Sequence, residues 1–360
     1  MNCLLVFLLC VFCSGIVIPQ ILLIAFRKQL FDTPDERKIH QGVVPRLGGI
    51  AFKPVVFFSF ALLLGANLLL GYQELLQEIG SDVRTLSFGY CAVLLLYLSG
   101  MADDLIGIRY EAKFAIQILC GVMLIAGGIW INDFYGIFGI HRIPYWIGCP
   151  LTILLTVFVI NAINLIDGID GLASGLCSIA CLSLGITFYL LGRYVYAMLA
   201  IATLGVLVPF FYYNVFGNPQ KQKKIFMGDT GSLTIGMVLC ILSIKLVSCN
   251  PENTSAVNPM VLAFSPLLVP CCDVVRVYLH RVRNGRNPFL PDRNHIHHKL
   301  LAIGMPQHVA MIVIISVSTL YIVANILLSY YGVDINLILA CDIVTWTLVN
   351  VGLTHRIMRK

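Results

Sequence analysis

Stretches of about 20 apolar residues recur from one end of this 360-residue chain to the other. Each is long enough to cross roughly 30 Å of hydrocarbon as a helix. Eleven stand out, near 3–26, 49–70, 85–102, 114–130, 146–166, 172–191, 196–214, 232–248, 258–279, 307–330 and 335–354. With 59% hydrophobic and 12% charged residues the chain does not fit a soluble domain. The expected architecture is all-α and polytopic, with 10–11 transmembrane helices in one integral-membrane domain over 1–360. The first run lacks a basic start, is too long for a signal-peptide core and precedes basic residues, so it reads as a spanning helix.

The gaps between runs alternate in charge. One set carries Arg27, Lys28, Arg37, Lys38 and Arg46, then Arg109 and Lys113, Lys221, Lys223 and Lys224, a cluster from Arg281 to Lys299, and the basic carboxyl end. It holds 18 of the 24 basic residues, whereas the other set has only Arg84, Arg142 and Arg193. By the positive-inside rule the first set is cytoplasmic. The amino terminus is then outside and the carboxyl terminus cytoplasmic, and an odd number of crossings is required. That bias also explains the net charge of +6 without a nucleic-acid partner. Most of the 13 cysteines lie within apolar runs and form no Cys-x-x-Cys pair, so no disulfide framework is expected.

Every notable polar cluster falls on the cytoplasmic side: PDERKIHQGVVPRLGG (34–49), MADDLIGIRYEAK (101–113), NAINLIDGIDG (161–171), FMGDTGS (226–232) and PDRNHIHHKL (291–300). Five segments at one depth in the bilayer point to one shared site. In the third, Asn161, Asn164, Asp167 and Asp170 recur every third residue. Neighbouring pairs share a helix face, but all four would drift halfway round. Gly168 and Gly171 are expected to break the helix there and let the set converge. Such hard oxygens suit magnesium, which takes few protein ligands and keeps water or phosphate oxygens. A polar helix end facing water is the plainer explanation for one such residue, and a weaker one for four bracketed by glycines.

Asp103 and Asp104 end the third run, and alone they fit a solvated turn; Lys113 beyond them offers a charge for phosphate. Asp229, between Gly228 and Gly231, precedes a helix expected to start near Ser232, where Asp229, Thr230 or Ser232 would act as its cap. The segment lacks the Lys-Ser/Thr of a nucleotide P-loop. His295, His297 and His298 sit beside Arg293 at a spacing unsuited to zinc. They read as an anion clamp for a diphosphate, or more plainly as a basic loop against anionic lipid.

These motifs, in this order, resemble the polyprenyl-phosphate N-acetylhexosamine-1-phosphate transferases (glycosyltransferase family 4), over about 34–300. PDRNHIHH resembles the bacterial branch that uses UDP-N-acetylglucosamine or a related UDP-N-acetylhexosamine, more than the phospho-N-acetylmuramoyl-pentapeptide transferases. The resemblance implies transfer of a sugar 1-phosphate to undecaprenyl phosphate at the cytoplasmic face of the bacterial plasma membrane, with release of UMP. It implies Asn164 and Asp229 as ligands of Mg2+, for which Mn2+ is a possible substitute. By the same transfer, Asp103 and Asp104 lie near the acceptor phosphate, and Lys113 contacts phosphate. Asp167 and Asp170 match catalytic-centre positions, Asn161 belongs to the same substrate-binding motif, and Arg293, His295, His297 and His298 match the loop holding the donor. The lipid bilayer is the remaining partner, and a homodimer is compatible with the sequence.

Two rival classes fit less well. A secondary transporter places carboxylates near the midplane of repeated halves, whereas these sit at helix ends and no repeat is visible. An intramembrane aspartyl protease would need Gly-x-Gly-Asp, and Phe226 stands where its first glycine belongs.

Overall fold

The computed structural model describes residues 1–30, 44–249, 256–285 and 294–359. Helices dominate: α1 (Asn2–Arg27), α2 (Phe52–Leu69), α3 (Glu74–Ser81), α4 (Val83–Ile106), α5 (Tyr110–Ala126), α6 (Tyr145–Ile166) and α7 (Leu172–Leu190) form the first half. The second half comprises α8 (Tyr194–Val215), α9 (Gly228–Ser248), α10 (Pro259–Phe264), α11 (Leu268–Arg283), α12 (Ile296–Ala302), α13 (Gln307–Tyr330) and α14 (Ile335–Met358). The only bridge of β type among the described residues joins Asp133 to Arg142.

Ten helical segments are long and apolar enough to cross a membrane, α10 and α11 counting as one. The sequence gives eleven runs, and the difference is α5. It spans 17 residues, about 25 Å at 1.5 Å per residue, slightly short of the hydrocarbon. Contacts at its two ends nevertheless require it to traverse. The last turn of α4 and the last turn of α6 both touch the first turn of α9. The chain must therefore return to the opposite face between α4 and α6, and α5 is the element that returns it. The short helix α3, unforeseen in the sequence, lies at that opposite face.

At the centre stands α9. Every residue from Thr230 to Val247 is buried, whereas most of α1 and α14 is not. A helix that is apolar all round has no lipid-facing or water-facing stripe to prefer, so it belongs inside the bundle. Around it pack α4, α6, α7, α8 and α10. Asp82, just before α4, lies 2.9 Å from Lys245 near the end of α9 and accepts a hydrogen bond of 2.9 Å from Tyr196. Burying that lysine is tolerable because its charge is paired. Breaks occur where chemistry dictates. Pro266 sits in a 3-10 turn, Ser265–Leu267, between α10 and α11. Asn258 and Asp334 cap α10 and α14 by accepting the backbone N–H of Met260 and Asn336.

Candidate active site

The first turn of α9 is held in a socket of backbone. Gly48 and Gly49 donate N–H bonds of 2.9 Å to the carbonyls of Phe226 and Met227, and Phe226 donates one of 2.9 Å to Pro45. A Cβ on Gly49 would lie 2.0 Å from the Gly231 nitrogen, so two main chains meet there with no room for a side chain. The helix begins at Gly228, earlier than the Ser232 start expected from sequence. Its cap comes from another helix and not from its own first turn. Asp104 accepts the N–H groups of Asp229 and Thr230, both at 2.8 Å, and the Thr230 hydroxyl at 2.5 Å. Both oxygens of Asp104 are thereby engaged with the positive end of α9.

Beside this cap, Lys113 lies between two carboxylates. Its Nζ is 2.6 Å from Asp103 Oδ2 and 2.6 Å from Asp229 Oδ2. Asp103 also accepts the Ile108 N–H at 2.7 Å, which closes the turn between α4 and α5. Asn164, from the last turns of α6, donates to Asp229 Oδ1 at 3.1 Å and to the Ser232 hydroxyl at 2.8 Å. Asn161, one turn earlier, points elsewhere: its amide donates to Gln117 Oε1 on α5 at 2.6 Å. The three-residue spacing thus serves two neighbouring helices.

The glycine break occurs where the sequence places it, with α6 ending at Ile166 and α7 starting after Gly171, whose φ is +76°. Asn214 holds the bend by accepting the Gly171 N–H at 2.6 Å and donating to the Ile225 carbonyl at 2.8 Å. Within the bend Asp170 pairs with Lys224 at 2.5 Å. Asp167 differs. Its side chain is exposed yet makes no hydrogen bond or ion pair among the described residues. Enclosure by surrounding protein first, and the charges of Asp229 and Asp170 next, push its carboxyl up to about 7, while Arg46 pulls it down.

Arg293 lies outside the described residues, and the histidines that follow it are ordered by α11. His295 Nδ1 is 2.8 Å from Asp273 Oδ2, and Ile296 donates its N–H to Asp273 Oδ1 at 3.0 Å. Arg276 binds Asp273 at 2.8 Å and also donates to the Asn294 carbonyl. The rings of His295 and His297 are stacked at 5.8 Å and 4°, and His298 lies 4.2 Å from His297. His297 sits directly on the bend: a Cβ on Gly168 would come within 2.1 Å of its Nε2. Burial, with His298 and His295 adding to it, lowers the His297 pKa to about 3. The histidine loop and the Asp-Gly-Ile-Asp-Gly bend therefore form one wall next to Asp167.

Asp229 thus touches both Asp104 and Asn164, which brings the ends of α4, α6 and α9 together. Gln117, Asp273 and Arg276 join the site unannounced, and Thr230 and Lys224 pair with Asp104 and Asp170. Asp273 had a visible signal, a carboxylate within an apolar run. Among the described residues no group of three His, Cys, Asp or Glu side chains is arranged to hold a metal ion. The donor set does fit an ion that takes few protein ligands. Asp103 and Asp229 face a single ammonium, which leaves net negative charge, and Asn164, which donates its amide N–H to Asp229, has a carbonyl oxygen of the hard type such an ion takes.

Comparisons with known proteins place the chain among relatives of one family. A profile of the family described as Glycosyl transferase family 4 matches residues 86–247, which include both the Asp103 and the Asp229 clusters. The chain is 30% identical to the "Probable undecaprenyl-phosphate N-acetylglucosaminyl 1-phosphate transferase" of Bacillus subtilis (strain 168), over 87% of this chain and 81% of that one. It is 31% identical to the undecaprenyl-phosphate alpha-N-acetylglucosaminyl 1-phosphate transferase of Yersinia pestis, over 81% and 74% of the two chains. With the protein of the same name from Escherichia coli (strain K12) it shares 29% identity, over 85% and 78%. The shared length spans the α4, α6 and α9 ends that build the site, and the chain belongs to glycosyl transferase family 4.

Proposed function

We propose that this protein transfers N-acetylglucosamine 1-phosphate, or a related N-acetylhexosamine 1-phosphate, from its UDP-sugar to undecaprenyl phosphate and releases UMP. The carrying observation is the group formed by Asp103, Lys113, Asp229 and Asn164 at the capped amino end of α9. Carboxylates gathered with a lysine at one helix end suit a diphosphate that arrives with a divalent cation. The names of the relatives point to the same substrates. The basic bias of the loops on this side supports a cytoplasmic site in a bacterial inner membrane. A prenyl chain dissolved in lipid and a nucleotide sugar in water then both reach it.

In the reaction an oxygen of the acceptor phosphate bonds to the β-phosphorus, and the bond from that phosphorus to the oxygen of the UMP phosphate breaks. A phosphate monoester has a second pKa near 6, so at most one proton must leave the acceptor. We assign that proton to Asp167, whose carboxyl makes no hydrogen bond or ion pair among the described residues and is pushed up to about 7, chiefly by burial. Asp103 is bound to Lys113, Asp104 to the α9 backbone and Asp170 to Lys224, so each of these orients other groups. Lys113 and Arg46 supply positive charge against the phosphates, and the histidine wall faces the donor side. Asp229 and Asn164 are the residues that would hold Mg2+, which when bound offsets the charge of the diphosphate. Attack at phosphorus leaves the anomeric centre untouched, so its configuration is retained.

The test is purified protein with undecaprenyl phosphate, UDP-N-acetylglucosamine and magnesium. UMP should appear with the lipid-linked sugar, Asp229→Asn should abolish turnover while remaining folded, and EDTA should stop it. A panel of UDP-sugars identifies the donor. Absence of UMP with every donor would overturn the assignment, and full turnover in EDTA would overturn the metal.

A further inference from the structure

Asp273 is fully buried in α11, so it reaches the proposed chemistry only through the groups that it holds. A buried carboxylate is costly unless its lone pairs and charge are answered. Here the Arg276 guanidinium answers the charge at 2.8 Å, and the Ile296 N–H and His295 Nδ1 fill the remaining acceptor sites. Because an ionised carboxylate can only accept, His295 must carry its proton on Nδ1. Its Nε2 makes no hydrogen bond among the described residues. That nitrogen is therefore left to a ligand: an acceptor when the ring is neutral, a donor when it is protonated.

We propose that Asp273 is a positioning residue of the transfer site, fixing the ring and tautomer of His295 so that Nε2–H of the imidazolium meets an anionic phosphate oxygen of the nucleotide diphosphate. This rests on the transferase reading above. The same bracket sets the whole wall. Asp273 holds the first N–H of α12, and Arg276 holds the Asn294 carbonyl just before it. His295 stacks in parallel on His297, which seats on Gly168. A shift of Asp273 would therefore displace all three rings relative to the bend that carries Asp167.

The experiment is a cycle of Asp273→Asn and His295→Asn in the full-length protein, read as UMP release. Asp273→Asn should lower kcat by about 10- to 100-fold, the usual effect of losing a group that orients a ligating histidine. On the His295→Asn background the same change should cost nothing further. Wild-type kcat in Asp273→Asn, or an equal extra loss on the His295→Asn background, would overturn the proposal. If Asp273→Asn does not fold, Asp273→Asn with Arg276→Gln removes the charge pair together and takes its place. In protein labelled with nitrogen-15 histidine, the bonded Nδ1–H should resonate far downfield and vanish in the variant, whatever the substrate. A wild-type protein that releases no UMP thus sinks the transferase reading, whereas a missing downfield proton sinks the Asp273–His295 pair.

Discussion

Lys113 answers two carboxylates with one charge. Replacing it by Met leaves Asp103 and Asp229 facing each other and removes a cation from the phosphate site. UMP release should fall by about 10²- to 10³-fold, the scale for losing one electrostatic stabiliser, while gel filtration in detergent shows a normal peak. His297 gives a prediction about acid. Its folded pKa of about 3 lies below the ordinary 6.5, so the folded protein keeps the ring neutral while the unfolded chain protonates it. Stability attributable to this group is intact above about 6.5 and is lost progressively as pH falls towards 3. The apparent melting temperature of His297→Phe should accordingly drop less between pH 7 and 5 than that of the wild type. The residue types of the site were legible because carboxylates, amides and histidines have no reason to gather at the ends of apolar helices. Their partners were not: nothing in the spacing of Asn161 and Asn164 reveals that one meets Gln117 and the other Asp229. Pairings across helices depend on how the bundle packs, which a single chain's periodicity does not encode.

Glycines decide how closely the elements approach. Gly49 lies against the Gly231 backbone, whereas Gly65, on the same span, has open space around its α-carbon. Gly49→Ala should push the first loop away from α9, lowering both folded yield and turnover, and Gly65→Ala should leave both near wild type. Asp104 carries a related prediction for helix ends. Asp104→Ala strands the N–H groups of Asp229 and Thr230, at about 1–3 kcal/mol for each unsatisfied buried group. Thermal stability and activity should fall together, in contrast to Asp103→Asn, where activity should fall further than stability. Helix existence was evident in the sequence from hydropathy alone. The true start of α9 was hidden because its cap lies 125 residues away in sequence, on Asp104. The α5 crossing was evident from its run of apolar residues, although its helix stops after 17 residues.

For the molecule as a whole, the path of the chain puts the α4, α6 and α9 site ends on one face and Asp82, Lys245 and Tyr196 on the other. With the basic loops cytoplasmic, Phe138, 77% exposed, should lie outside. In intact cells a Phe138→Cys variant should gain labelling by an impermeant maleimide over the native background, and Lys221→Cys only after the membrane is opened. The reverse pattern would invert the orientation. Helices α4 and α9 are clamped at both extremities, by the Asp104 cap at one end and the Asp82–Lys245 ion pair at the other. Two rods riveted top and bottom resist axial sliding, so this pair is poorly suited to rocking a cargo between leaflets.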